Sequence, residues 1–256
     1  MLHCNEAGNG YPVVLLHGFC EKNTCFNKQV FLLKEHYKII CPDLPGSGKS
    51  EHHISTSIEA MADAVYETLI FSGIKKCVLI GHSMGGYVAM VFAKKYAHIL
   101  DGFGLLHSVA TPDDEERKEK RVQAQRTIAE KGVVFYARQF IPPMFKAGTA
   151  ESMIAPYLDE ADTFSAEGLT AQLEAMKNRE DHTEVLKQTV LPVFFGIGKF
   201  DSLIPEDKML QQAITCKQSY AAYLPESGHM GHIEQDELTA KHIAHFVDGV
   251  KSFSGE

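Results

Sequence analysis

The sequence predicts an α/β fold in which a mostly parallel central sheet is flanked by helices. Short apolar runs alternate along the chain with stretches of helical periodicity, the order typical of α/β proteins. Most of these runs are apolar throughout, as in strands that helices cover on both faces. The chain has 256 residues, of which 45% are hydrophobic and 23% charged. A large core can therefore form without disulfides or metals.

Six apolar runs are predicted to be strands. They span residues 13–16, 37–41, 77–80, 102–106, 192–197 and 220–224. A further strand is expected near residues 2–5. Parallel strands of one sheet require right-handed crossovers, and the intervening segments are long enough to provide helices for them.

Helical patterns lie between the strands. The stretch Thr56-Ser57-Ile58-Glu59 matches a capping box, and the helix after it has an apolar face and closes at Gly73. Residues 87–95 form another helical stretch. The last helix is predicted around residues 233–250, with a buried face. That face comprises Ile243, Phe246, Val247 and Val250.

Residues 111–188 interrupt the alternation and are predicted to be an all-helical insertion. The core would then comprise residues 1–110 and 189–256. Breaks within the insertion are expected at Gly132, Pro142-Pro143, Gly148 and Gly168. Its first helix begins with acidic residues and turns basic at 117–121, a distribution that suits the helix dipole and is expected on a solvated face.

Composition excludes several classes of protein. With 25 Lys and Arg against 33 Asp and Glu, the net charge is −8, which opposes a nucleic-acid partner. No apolar run approaches the roughly 20 residues of a membrane-spanning helix, and no secretory signal is visible at the start. The six cysteines contain no CxxC pair and are expected to be free thiols rather than three disulfides. These features favour a cytoplasmic protein without membrane contact.

The stretch Gly81-His82-Ser83-Met84-Gly85-Gly86 carries the strongest chemical signal. It is a G-x-S-x-G pattern between a predicted strand and a predicted helix, the context of a nucleophile elbow. The serine at such a turn has a strained backbone, so its neighbours at −2 and +2 must be small. A glycine-rich turn with an incidental serine is the alternative.

A serine nucleophile needs a base, and the base needs an orienting acid. Asp201 and His229 follow the last two predicted strands, where functional groups gather in an open α/β sheet. The order Ser83, Asp201, His229 is that of the nucleophile-elbow hydrolases. The backbone amides of Met84 and Phe19 are the expected oxyanion-hole donors. His17, two residues before Phe19, is expected to tie its loop to the sheet.

The chain resembles the α/β-hydrolase superfamily, in particular its single-domain esterase, lactonase, haloperoxidase-like and carbon–carbon-bond hydrolase branches. Besides the elbow, the matching motifs lie at residues 15–19, 42–50, 179–181, 198–201 and 228–229. The resemblance implies that residues 111–188 cap the active site. Relatives usually carry one more strand before the one expected near residues 2–5. Serine at the elbow argues against the dehalogenase and epoxide-hydrolase branches, which use aspartate.

The expected function is that of a serine hydrolase that cleaves a small carboxylic ester or related acyl compound through an acyl-enzyme on Ser83. Alternatives are carbon–carbon bond, thioester or lactone hydrolysis by the same triad, or a non-catalytic ligand-binding protein. No cofactor and no metal is expected, and the protein is expected to be a monomer or a homodimer. The residues expected to line the substrate pocket are Cys20, His82, Phe140, Met144, Phe145, Leu203 and Met230.

Three other patterns are weaker. Gly46-Ser47-Gly48-Lys49-Ser50 resembles the end of a P-loop, but Asp43 stands where the first glycine is required. His229 and His232 lack the spacing of a zinc motif. No Arg or Lys is distinguished as an anchor for a charged substrate, and Arg138 and Lys146 are expected to be solvated.

Overall fold

A computed structural model describes residues 1–50 and 57–254. All six predicted strands are present, together with the one expected at the start. The seven strands are β1 (Cys4–Ala7), β2 (Tyr11–Leu16), β3 (Tyr37–Pro42), β4 (Cys77–His82), β5 (Leu100–Leu106), β6 (Val193–Gly198) and β7 (Ser219–Leu224).

The seven strands form one sheet in the order β1-β3-β2-β4-β5-β6-β7. Only β1 is antiparallel, paired with β3, and the other neighbours are parallel. The strand order reverses between β2 and β4. In such sheets ligands bind at the carboxyl ends of the strands beside this reversal. The predicted fold class is confirmed.

Eleven α-helices occur in the described part of the chain. They are α1 (Asn27–Leu33), α2 (Ile58–Phe71), α3 (Met84–Tyr96), α4 (Glu115–Lys131), α5 (Val133–Phe140), α6 (Glu151–Asp159), α7 (Ala166–Lys177), α8 (Thr183–Gln188), α9 (Glu206–Ala213), α10 (Gly231–Glu234) and α11 (Asp236–Ser254). Among the described residues, none of these helices combines the length and apolarity needed to cross a membrane.

Helix α2 begins one residue later than the capping-box pattern predicts. Its N-cap is Ser57, whose Oγ accepts a hydrogen bond of 3.1 Å from the Ala60 amide. Thr56, the cap in the predicted pattern, lies outside the described residues. The helix ends at Phe71, and Gly73 follows with a positive φ of 72°, as helix ends often require.

Helices bury both faces of the sheet. Apolar residues of α2, α3 and the segment after β5 pack on one face, and those of α1 and α11 pack on the other. The predicted buried face of the last helix is confirmed, since its four members are all buried. They are Ile243, Phe246, Val247 and Val250. The predicted helix is divided in two, because α10 ends at Glu234 and α11 begins at Asp236.

Residues 107–192, all of them described, contain helices α4 to α8 and no strand. Gly132, Pro142-Pro143 and Gly148 lie between α-helices, as predicted, but the break expected at Gly168 is wrong. Gly168 is a buried residue of α7. A Cβ there would lie 2.3 Å from the carbonyl oxygen of Gly46, so glycine permits close approach of α7 to the turn after β3.

Candidate active site

Ser83 stands at the sharp turn between β4 and α3. Its φ of 48° and ψ of −113° are strained for a residue with a side chain. A Cβ at Gly81 would lie 2.0 Å from the Gly85 carbonyl oxygen, and one at Gly85 would lie 2.4 Å from that of Leu16. Both glycines are therefore required by packing. The turn presents the Ser83 side chain to a cavity.

Asp201 and His229 meet at the carboxyl ends of β6 and β7. The Asp201 Oδ2 lies 2.8 Å from the His229 Nδ1. A carboxylate can only accept, so Nδ1 donates and Nε2 carries the lone pair. That Nε2 is buried and has no hydrogen-bond partner among the described residues. His229 lines the same cavity as Ser83.

The carboxylate of Asp201 is held by four donors. Its Oδ1 accepts from the amides of Leu203 at 2.9 Å and Ile204 at 2.8 Å. Its Oδ2 accepts from His229 and also from the Nδ1 of His107 at 3.0 Å. Burial alone would raise the pKa of Asp201, but its electrostatic attraction to His229 and the hydrogen bonds from His107 and His229 outweigh burial and lower that pKa strongly.

His107 contacts the Asp201 carboxylate, and this contact was not predicted from the sequence. It follows β5, has a positive φ of 51° and is fully buried. Burial lowers its pKa to about 4, so the ring is neutral near pH 7. Its place at the carboxyl end of β5, beside β6, is the signal that could have indicated a contact with Asp201.

The loop after β2 passes close to the elbow. A Cβ at Gly18 would lie 3.2 Å from the Ser83 Cβ, so the loop contacts the serine through glycine. His17 anchors this loop, because its Nε2 accepts from the Leu44 amide at 2.9 Å and its Nδ1 lies 2.8 Å from the Gly18 carbonyl. In the described part of the chain, the amides of Phe19 and Met84 have no acceptor.

Behind the elbow lies a buried cluster of Glu21, His82 and His232. The His82 Nε2 lies 2.9 Å from the His229 carbonyl oxygen, an acceptor, so this nitrogen carries a proton. The His82 Nδ1 lies 2.9 Å from the Glu21 Oε2, which also accepts from the Gly18 amide. The Glu21 Oε1 lies 3.5 Å from the His232 Nε2.

Both ring nitrogens of His82 face acceptors, the Glu21 carboxylate and the His229 carbonyl oxygen, so Glu21 and His82 form an ion pair. Burial alone would raise the pKa of Glu21, but His82 and His232 outweigh it and lower that pKa well below the usual range. Burial alone would lower the pKa of His82, yet the Glu21 charge and hydrogen bond raise it. Burial, followed by the His82 charge, lowers the pKa of His232 to about 4. The hydrogen bonds of His82 make it the cationic histidine of the cluster, and the lowered pKa of His232 keeps that ring neutral near pH 7.

The cavity at Ser83 and His229 has a volume of about 460 Å³. Helices α4, α5 and α7 supply most of its outer wall. Its apolar lining comprises Phe19, Tyr87, Ala124, Tyr136, Phe140, Met144, Leu173, Met176, Leu203 and Ile204. Phe19 packs edge-on against Phe140 at 5.4 Å between ring centroids, and Phe140 stacks on Tyr136 at 5.4 Å. An apolar pocket with polar groups at one end is typical of small-molecule sites.

Of the seven residues expected in the pocket, Phe140, Met144 and Leu203 line this cavity. The other four are buried outside its lining. They are Cys20, His82, Phe145 and Met230. The His82 ring points into the cluster with Glu21, and Phe145 packs against Tyr157 at 6.0 Å between ring centroids. Burial raises the pKa of the Cys20 thiol to about 12.

Cations of α4 also line the cavity, contrary to the sequence analysis, which distinguished no Arg or Lys. They are Arg117, Lys120 and Arg121. Of the two cations considered from sequence, Arg138 is exposed and Lys146 pairs with Glu226. The periodicity of α4 shows a charged face, but it does not show that this face turns toward Ser83.

Among the described residues, two groups offer atoms of the type that binds metals. They are Glu21 with His82 and His232, and Asp201 with His107 and His229, and within each group the atoms lie inside 4.8 Å of one another.

The turn at residues 46–50, which resembles the end of a P-loop, packs around a side chain of the protein itself. It surrounds a carboxylate, since the Lys49 amide donates to the Asp43 Oδ2 at 3.0 Å and the Asn23 amide donates to Oδ1 at 2.9 Å.

A family model for the alpha/beta hydrolase fold matches residues 11–236. The chain therefore belongs to the α/β-hydrolase family. It is similar to an esterase of Thermogutta terrifontis, solved with malate bound, with 32% identity and a TM-score of 0.93 over 97% of this chain and 93% of that one. The description of the family and the name of this esterase both point to hydrolase chemistry.

Curated relatives include the 2-hydroxy-6-oxo-6-(2'-aminophenyl)hexa-2,4-dienoic acid hydrolase of Metapseudomonas resinovorans, with 22% identity over 94% of this chain and 86% of that protein. An uncharacterised protein of Mycobacterium bovis is 33% identical over 37% of this chain. That match spans 28% of the mycobacterial protein's length.

Proposed function

We propose that this protein is a serine hydrolase that cleaves small carboxylic esters through an acyl-enzyme on Ser83. The observation that carries the proposal is the meeting of two features at one cavity. One is a serine on a strained turn, and the other is a histidine whose Nδ1 donates to a buried carboxylate while its Nε2 has no partner among the described residues.

In this mechanism the Ser83 Oγ attacks the ester carbonyl carbon while the His229 Nε2 takes the hydroxyl proton. Asp201 fixes the tautomer of His229 and stabilises the imidazolium that forms. The imidazolium then gives the proton to the departing alcohol. Water, deprotonated by His229, attacks the acyl-enzyme, so the acid leaves and Ser83 regains its proton.

The amides of Phe19 and Met84 stabilise the oxyanion of each tetrahedral intermediate. Gly18 lets the first loop approach the elbow, and α3 begins at Met84, so its helix dipole favours negative charge there. Such a pair of donors contributes several kcal/mol, about 3 for each donor removed.

Residues 111–188 form the cap of this enzyme in our proposal, and residues 1–110 and 189–256 form its core. The support is that α4, α5 and α7 line the cavity that also contains Ser83 and His229. The apolar wall of the cap suits the hydrocarbon part of an acyl or alcohol group.

The six free thiols support a reducing, cytoplasmic setting for this protein.

Sequence identity to the relatives favours ester hydrolysis over carbon–carbon, thioester or lactone cleavage. The Thermogutta esterase shares 32% identity along nearly the whole chain, whereas the dienoic acid hydrolase of Metapseudomonas resinovorans shares 22%. The same triad would serve each of these reactions.

A fluorophosphonate probe tests the proposal, because it labels an activated serine without knowledge of the substrate. Two serines line the cavity, Ser83 and Ser202. We expect peptide mapping to find the label on Ser83, the Ser202→Ala variant to remain labelled and the Ser83→Ala variant to lose labelling. Labelling at Ser202, or none in the folded wild type, would overturn the proposal.

A further inference from the structure

Three cations form one side of the cavity in a chain whose net charge is −8. Arg117, Lys120 and Arg121 are three and four residues apart on α4, so they share one face of that helix. A cluster of positive charge beside a reacting serine, in an otherwise acidic protein, is suited to an anion.

The three cations differ in how they are paired with carboxylates. Lys120 pairs with Glu116 at 2.6 Å. Arg121 pairs with Asp113 at 3.1 Å, but Arg179 also pairs with Asp113 at 2.8 Å, so two guanidinium groups share one carboxylate. Within the described residues, no carboxylate oxygen lies within 4 Å of a charged nitrogen of Arg117.

Arg117 is positioned by the loop that carries Asp201. Its guanidinium donates to the carbonyl oxygen of Leu203, and the Leu203 amide donates to the Asp201 Oδ1 at 2.9 Å. This carbonyl fixes one edge of the guanidinium and leaves other N–H groups for a ligand, since the group has five donors. The cation is therefore oriented relative to the proposed acid and base.

We infer that Arg117, supported by Lys120 and Arg121, binds a carboxylate at the far end of the substrate. This inference rests on the proposed ester hydrolysis and names its substrate class: esters whose acyl part ends in a carboxylate, such as hemiesters of dicarboxylic acids. Phe140 and Met176 line the same cavity as Ser83 and Arg117, and apolar side chains of this kind suit the methylene chain of such a substrate.

The test compares kcat/KM for p-nitrophenyl hydrogen glutarate with that for p-nitrophenyl valerate, a neutral ester of similar length. We expect the wild type to prefer the anionic ester and Arg117→Gln to reduce that preference roughly 10- to 100-fold, the scale of one charge-assisted hydrogen bond. Arg117→Lys should restore part of it. Arg138→Gln, the same change at an exposed arginine of α5 outside the cavity lining, should leave it unchanged.

Salt provides a readout that needs no variant. The wild-type preference for the anionic ester should fall when NaCl is raised from about 20 mM to about 500 mM, because salt screens charge attraction. Turnover of both esters with a preference that neither salt nor Arg117→Gln alters would overturn the carboxylate subsite and leave the hydrolase intact. Turnover of neither ester, without fluorophosphonate labelling, would overturn both.

Discussion

Glu21 and His82 form a fully buried ion pair, with 2.9 Å between the Glu21 Oε2 and the His82 Nδ1. The pair joins the parts of the site, since Glu21 also accepts from the Gly18 amide and His82 donates to the His229 carbonyl. Through it, the loop of Phe19, the elbow of Ser83 and the proposed base are held by one hydrogen-bonded network.

Replacing Glu21 with Gln should destabilise the fold, because the imidazolium of His82 would lose its buried counter-charge. Breaking a buried pair on one side costs about 3 kcal/mol or more. Urea denaturation measures the free energy of unfolding. Glu226→Gln, which removes a carboxylate from an exposed pair with Lys146, is the control and should change it little. Equal effects of the two changes would contradict a supporting role for Glu21.

Asp201→Asn and His107→Asn should distinguish the roles of the two histidines that donate to the Asp201 Oδ2, because the two substitutions should lower kcat by different amounts. An amide at 201 cannot hold His229 in the required tautomer, so kcat should fall about 10⁴-fold. Loss of His107 removes one donor to the carboxylate and should lower kcat by roughly 10- to 100-fold. Steady-state kinetics with a p-nitrophenyl ester gives both values. A His107→Asn enzyme as active as the wild type would assign His107 to packing alone.

Acid should destabilise the protein before its carboxylates titrate. His107 and His232 have pKa values of about 4, against an ordinary value of 6.5, because both rings are buried. A lowered histidine pKa stabilises the fold fully above pH 6.5, and this contribution is lost as the pH falls toward 4. Each histidine contributes about 3 kcal/mol over that interval.

Chemical denaturation at pH 7.5 and pH 4.5 checks this expectation. The difference in the free energy of unfolding should shrink in His232→Gln and remain unchanged in His98→Gln, where the histidine is exposed. A pH difference that survives the loss of His232 would mean that other groups control acid stability.

Glycine substitutions should distinguish close packing from helix propensity. A Cβ at Gly168 would lie 2.3 Å from the Gly46 carbonyl oxygen, so Gly168→Ala should push α7 away and cost roughly 1–3 kcal/mol. Gly249 lies in α11 with nothing within 4 Å of an added Cβ, so Gly249→Ala should stabilise by about 0.5–1 kcal/mol. Thermal unfolding compares them, and shifts of the same sign would contradict this packing.

Local pattern in the sequence was sufficient to predict the strands and the turn that carries Ser83. It also placed Asp201 and His229 at strand ends, where the structure brings them within hydrogen-bond distance. Apolar runs reveal buried strands, and residues that follow parallel strands converge at one edge of the sheet. Contacts between distant segments were not accessible in this way. Glu21 and His82 are 61 residues apart, and Arg117 and Leu203 are 86 apart.

The same limit explains the pocket residues that were misplaced. Cys20 and Met230 adjoin proposed site residues in sequence, but neighbours on a tight turn point in different directions, and both are buried away from the cavity. The break expected at Gly168 failed because a glycine that permits close helix packing has the same sequence signature as one that ends a helix.

Hydrolysis of p-nitrophenyl esters from acetate to decanoate tests the central claim most directly. The wild type should turn over part of this series, and Ser83→Ala should lose at least about a thousandfold in kcat, the scale of losing a nucleophile. Ser72→Ala, an exposed serine at the end of α2, is the matched control. A folded Ser83→Ala protein that cleaves esters as fast as the control would contradict the account.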